Sequence, residues 1–441
     1  MQRNCVPIAA WLFVSVTSAA PAASPALMEL ELTDRTVQGR LLALDDERAW
    51  VLARDGSLEE LAIREITRAE QAAPRFEPWR SAEVRDRLRR EFGQGFDVVG
   101  TEHYLIVAPP ARARQYAEVF ENIYRAVYVY FRVRGFQVEP PEFPLVAIVF
   151  PDHPSFAAYC RQDGFTAFRG LMGYYLRTSN RVALFDPGDE QISAGPDGEP
   201  SRERRVASLD NAFAADRASF RLPPAPLAAR PSEAATDTGQ ARSHMETSEI
   251  FRTRAASQSP VFRHSPVPTA RVATITAGLR DTIIHEATHQ VAFNTGLHTR
   301  IGENPKWIVE GLATVFEAPG IRDPGGQQTV ASRLNRERFV WFMNYAQKRR
   351  PKKSLAAFIE SDKAFDAAAL DGYSQGWALT FFLLETRPGK YARYLRTIAE
   401  RDPLRPYPPE DRLADFQSHF GQNLDLLEAD FLRFMDRLAQ N

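Results

Sequence analysis

Cysteine is nearly absent: Cys5 and Cys160 are the two in 441 residues. That scarcity excludes a disulfide scaffold and any cysteine-rich zinc or iron–sulfur site, so a metal would have to be held by histidines and carboxylates. An excess of either charge is lacking too. With 55 Lys+Arg against 56 Asp+Glu, the chain has no electrostatic bias toward nucleic acid. Long apolar runs are missing. The longest, Val6 to Val16, falls short of the roughly 20 residues a helix needs to span a bilayer. Glycine, at 24, is outnumbered by 31 prolines, which points to at least one structureless, linker-like stretch. The remainder is ordinary, with 44% hydrophobic and 25% charged residues. Such a chain can bury a sizeable core and is expected to divide into two or three domains.

Residues 1–26 read as an export signal: Arg3, the apolar run, then the small-residue stretch Thr17 to Ala26 with Ala20-Pro21-Ala22 as a cleavage site. The expected location is therefore periplasmic or extracellular. Cys5 would leave with the signal, and Cys160 alone could form no intrachain disulfide. Residues 27–72 show strand-sized apolar alternations separated by turn signals, Asp55-Gly56 among them. They predict a small β-barrel of the SH3 kind. Residues 73–186 predict an α/β unit. It holds a strand at Tyr104–Ala108, a long amphipathic helix over Ala111–Gly135, a strand at Leu145–Phe150, a short helix at Ser155–Arg161 and one or two strands within Gly173–Phe185. Residues 187–270 are rich in Pro, Ser, Ala and Arg, poor in aliphatics and without periodicity, which predicts a disordered insertion. Residues 271–441 read as helical, with loops at Thr299–Pro305 and Pro319–Gln327.

Chemistry concentrates in His285-Glu286-Ala287-Thr288-His289, the HExxH pattern, inside a predicted helix from Ile275 to Phe293. Residues four apart share a helix face, so both imidazoles can reach one ion, and Glu286 beside them can take a proton from a water that the ion has made more acidic. A catalytic zinc site needs a third protein ligand. Glu310 follows 21 residues after His289, on a second predicted helix opened by Asn304-Pro305. Gly311 beside it would let two helices approach closely. Glu317, seven residues after Glu310, could accept the free N–H of a metal-bound histidine, or be a surface carboxylate. Asn294 could contact a substrate backbone or cap its helix. His103, His153, His298 and His419 read as surface or packing residues, because none has a second ligand at helical spacing.

The segments HEATHQVAFNTGL, PKWIVEGLATVFE and YSQGWALTFFLLE together resemble the gluzincin metallopeptidases of the peptidase MA-like superfamily. In particular they look like a group of secreted bacterial proteins known only as a domain of unknown function. The resemblance covers about residues 100 to 440 without the insertion. It implies an α+β, thermolysin-like catalytic domain behind the N-terminal barrel, with the strand region Gly173–Phe185 flanking the substrate. It further implies His285, His289 and Glu310 as Zn2+ ligands, Glu286 as general base, and a peptide or protein as substrate. Tyr373 matches a tyrosine that related enzymes place across the zinc from the base; it would either stabilise the oxyanion or anchor its helix as a buried side chain. Two other functions stay open at this level: a zinc hydrolase of a non-peptide amide such as a cell-wall link, and a non-catalytic module with a structural zinc.

Overall fold

The computed structural model describes residues 25–165, 170–186, 275–322 and 329–440. The expected signal, apart from Pro25 and Ala26, and the expected insertion at 187–270 lie outside the described residues. Among the described residues, no helix is long and apolar enough to cross a membrane.

The first sheet is built from β1 (Leu27–Leu32), β2 (Thr36–Leu44), β3 (Arg48–Ala53), β4 (Leu58–Ala62) and β5 (Ile66–Ala73). Asp55-Gly56 makes the β3–β4 turn. Gly56 takes φ 87°, which only glycine adopts freely, and Asp55 accepts the Ser57 N–H at 3.0 Å. All pairings are antiparallel, in the order β4-β3-β2-β1-β5. The predicted barrel does not close: β4 and β5 are opposite edges of an open sheet. Closure is not needed to bury its apolar residues. Leu30, Val37, Val51 and Leu61 form a small core of their own, whereas Leu52 and Leu58 are covered by Phe76 and by Phe143 of the next unit. The edge strand β4 also donates its Leu58 N–H to the Thr178 carbonyl, 2.7 Å away.

The chain continues through α1 (Ser81–Phe92), β6 (Asp97–Gly100), β7 (Tyr104–Ala108), α2 (Ala113–Arg132), β8 (Leu145–Phe150), α3 (His153–Gln162), β9 (Gly173–Leu176) and β10 (Arg181–Phe185). Their sheet has the order β6-β7-β8-β10-β9; β7, β8 and β10 are parallel, and β6 and β9 are antiparallel edges. In β8 every residue is buried, as expected of a strand covered on both faces. Leu145, Ala147 and Val149 face the core shared with α2, and Val146, Ile148 and Phe150 face α1 and α3.

Thirteen helices occur among the described residues. The later ones are α4 (Ala277–Asn294), α5 (Lys306–Phe316), α6 (Pro319–Arg322), α7 (Arg336–Lys348), α8 (Leu355–Glu360), α9 (Lys363–Ala367), α10 (Ala369–Thr386), α11 (Pro388–Ala399), α12 (Pro409–Phe420) and α13 (Leu424–Gln440). Thr276 caps α4 by accepting the Leu279 N–H at 3.3 Å. All of α5 and residues 372–384 of α10 are buried, because both segments are largely apolar and pack against each other and against neighbouring helices, with Lys306, Glu310 and Gln375 among the few polar side chains they bury. The whole is a mixed α/β structure with the helical part laid over one face of the second sheet.

Helices α5 and α10 approach closely at Gly311. A Cβ there would stand 2.2 Å from Thr380 Oγ1 and 2.6 Å from the Gly376 carbonyl oxygen. Gly311→Ala should therefore destabilise the fold by about 1–3 kcal/mol, the usual cost of overpacking. The check is urea denaturation, where the midpoint should fall at unchanged slope.

Candidate metal centre

Three side chains from two adjacent helices converge. His285 and His289 lie one turn apart on α4, and their rings meet edge to face with centroids 4.6 Å apart. Their Nε2 atoms are 3.0 Å from each other, and Glu310 Oε2 on α5 lies 3.3 Å from the first and 3.8 Å from the second. A tetrahedral zinc with bonds near 2.0–2.1 Å separates its ligand atoms by about 3.3 Å. The three distances bracket that value. Glu310 Oε2 is fully buried and receives no well-directed hydrogen bond, which is the state of an oxygen shaped to meet a cation. All three residues are buried, so this His-His-Glu group is able to hold a metal ion.

The surroundings orient these ligands. His285 Nδ1 donates to Glu317 Oε1 at 2.9 Å, which leaves Nε2 facing His289 and Glu310. Asn335 Nδ2 donates to Glu317 Oε2 at 2.8 Å and to the Thr314 carbonyl at 3.0 Å, and the Arg338 guanidinium stands 3.8 Å from the same carboxylate. Of the two sequence readings for Glu317, the histidine partner is the observed one. Glu286 is 2% exposed, and its Oε2 accepts the backbone N–H of Tyr175 in β9 at 2.8 Å.

Electrostatics match the geometry. Burial opposes the charged form of His285, yet the nearby Glu310 and Glu317 carboxylates outweigh this and lift it to about 10. Positive charge is thus stabilised where the three ligand atoms meet. Burial lowers His289 to about 4 against the pull of Glu310, which keeps that imidazole neutral and able to ligate. Burial would raise Glu310 and Glu317 as well; the histidines with Lys306 hold Glu310 down, and Arg338 with His285 holds Glu317 down. Glu286 is raised to about 7 by burial, moderated by His285.

Tyr373 is fully buried on α10. Its ring packs edge-on against Phe365 at 5.3 Å, with the Lys306 ammonium and the Arg338 guanidinium each 5.7 Å from the ring centre. These two cations also act on Glu310 and Glu317, so Tyr373 neighbours the group that flanks the ligands. Asn294 neither caps α4 nor stands open to a ligand: its amide is bonded to Asn180 and to the Gln290 carbonyl. His298 is a buried packing residue against the Phe293 ring. One other group, Glu102, His103 and Glu121, has metal-like spacing among the described residues. Its Glu121 carboxylate is already engaged by Thr101, His103 and Arg125.

Sequence reasoning missed Tyr175, Asn180, Asn335 and Arg338. Asn335 and Arg338 sit at the start of α7, where the Asn335 side chain accepts the Arg338 N–H at 3.2 Å, so an N-cap signal was present there without any hint of the partner.

Residues 280–405 match the family described as "Protein of unknown function (DUF1570)". The matched stretch contains His285, Glu286, His289, Glu310, Glu317 and Tyr373. No curated protein matches the chain.

If the His-His-Glu group holds a metal, purified protein should carry about one divalent ion per chain, measured and identified by elemental analysis, and His285→Ala, His289→Ala or Glu310→Ala should remove most of it. Glu317→Ala should retain the site but weaken metal binding by about 10–100-fold, measured by competition with a chelator.

Proposed function

We propose that the protein is an exported zinc-dependent metallopeptidase of the gluzincin type. The observation that carries this reading is the placement of Glu286 beside the His285–His289–Glu310 group, held there by the main chain of an edge strand. A site kept for structure alone has no use for a buried carboxylate next to its ligands. The edge strand favours a peptide as substrate. β9 has no further strand beside it among the described residues, and an extended peptide can add to such an edge through main-chain hydrogen bonds.

Zinc held by His285, His289 and Glu310 would supply Lewis acidity toward a carbonyl oxygen and raise the acidity of water. Glu286 accepts the proton of the attacking water and returns it to the leaving amine as the C–N bond breaks. Glu317 keeps His285 turned toward the ligand position. Tyr373 stands as candidate hydrogen-bond donor to the oxygen where negative charge develops. The apolar segment near the N-terminus supports export.

Two substitutions test the chemistry. Glu286→Gln keeps size and a hydrogen bond but cannot take the proton; zinc content should survive while digestion of a broad peptide library slows by at least about 10²-fold. Unchanged turnover with zinc retained would remove Glu286 from the mechanism. Tyr373→Phe should lower kcat by about 10²–10³-fold at constant zinc if its hydroxyl meets the oxyanion, and leave kcat unchanged if the ring only anchors α10.

A further inference from the structure

Glu286, Gln290 and Asn294 are spaced i, i+4, i+8, so they form one stripe on successive turns of α4. Each member of the stripe bonds to the β9–β10 hairpin. Glu286 accepts the Tyr175 N–H at 2.8 Å. Gln290 Nε2 donates to the Asn180 carbonyl at 2.9 Å and to the Val146 carbonyl of β8 at 3.0 Å. Asn294 and Asn180 exchange two side-chain amide bonds, Asn294 Nδ2 to Asn180 Oδ1 at 2.7 Å and Asn180 Nδ2 to Asn294 Oδ1 at 2.9 Å. Asn180 Oδ1 also accepts the Tyr175 hydroxyl at 2.9 Å, so the residue that holds Glu286 through its backbone is itself held through its side chain.

Asn180 is 3% exposed and takes φ 58°, a left-handed conformation that asparagine tolerates better than most residues. It ends the turn between the two strands. A buried amide pair of this kind is stable only when its donors and acceptors are matched, and a shift of β9 by one residue along α4 would unpair the set. The same shift would turn the Tyr175 N–H away from Glu286.

Building on the metallopeptidase reading, we infer that Asn180, Asn294 and Gln290 are positioning residues: they lock the register of the β9–β10 hairpin on α4 so that the Tyr175 N–H fixes one oxygen of the general base. The other carboxylate oxygen is then left for the proton of the attacking water. Neither asparagine is a metal ligand, so loosening them separates base alignment from metal binding.

The test uses the full-length, zinc-loaded protein and the variants Asn180→Gly and Asn294→Ala. Glycine keeps the left-handed backbone and removes only the side chain. It decides the matter should Asn294→Ala fold poorly. Amide hydrogen exchange over residues 173–176 should rise by about 10-fold or more in the variants, while residues 145–150 and the zinc content stay at parental values. With a peptide substrate, kcat should fall about 10- to 10²-fold, the usual cost of a misplaced catalytic group, with KM changed less than about twofold. Unaltered exchange over 173–176 would overturn the register lock. Faster exchange with kcat preserved would overturn the positioning role and leave a stability contact only. A zinc-loaded parent that cleaves no peptide would sink the peptidase reading, and the exchange data would still decide whether the clasp sets the hairpin register.

Discussion

Burial of ionisable groups is the constraint on which the structure turns. His285, Glu286, His289 and Glu310 lie against the largest apolar core among the described residues, each 8% exposed or less. Such groups are costly unless each is paired or bonded. Three of the four are met by a neighbouring polar group: His285 by Glu317, Glu310 by Lys306 of its own helix, and Glu286 by the β9 main chain, while His289 Nε2 faces His285 Nε2. The residual imbalance is a convergence of two imidazole nitrogens and a carboxylate oxygen, and a divalent cation would relieve it. Low exposure strengthens this effect, because electrostatic interactions are strongest where water is excluded.

The pairing of α5 with α10 supplies the mechanical side of the same requirement. Gly311 follows Glu310 directly, and its lack of a side chain lets the two helices come close enough to bury Trp307 and Trp377 completely. A tight pair of this kind leaves the backbone at Glu310 little room to shift.

The N-terminal sheet is tied to the same region. Leu58 bonds to Thr178 in the turn of the β9–β10 hairpin, and Arg300 Nη2 donates to the Arg177 carbonyl of that turn at 2.6 Å. The hairpin is thus approached from the first sheet, from α4 and from the loop before α5. One edge of the open sheet and part of its apolar surface are thus used against the neighbouring unit.

Local pattern alone determined much of this protein. The HExxH spacing placed two imidazoles on one turn of α4, the apolar run between Pro144 and Pro151 defined β8, Asp55-Gly56 defined a hairpin turn, and the glycine after Glu310 announced a close helix contact. In each case the physical cause is short-range: helix period, the backbone of glycine or proline, or burial of a continuous apolar run. The segment Ser81–Phe92 and strand β5 were not read, because the first is rich in arginine and acid and the second buries only Ile66. Tertiary structure decided the rest. The bonds of Tyr175 to Glu286, of Asn180 to Asn294 and of Gln290 to Asn180 each join residues more than 100 positions apart, and Glu317 was one of two equal readings until α5 and α4 met. No local propensity encodes such contacts, since they arise only when a helix is laid across a sheet and the buried polar groups of both must be satisfied together.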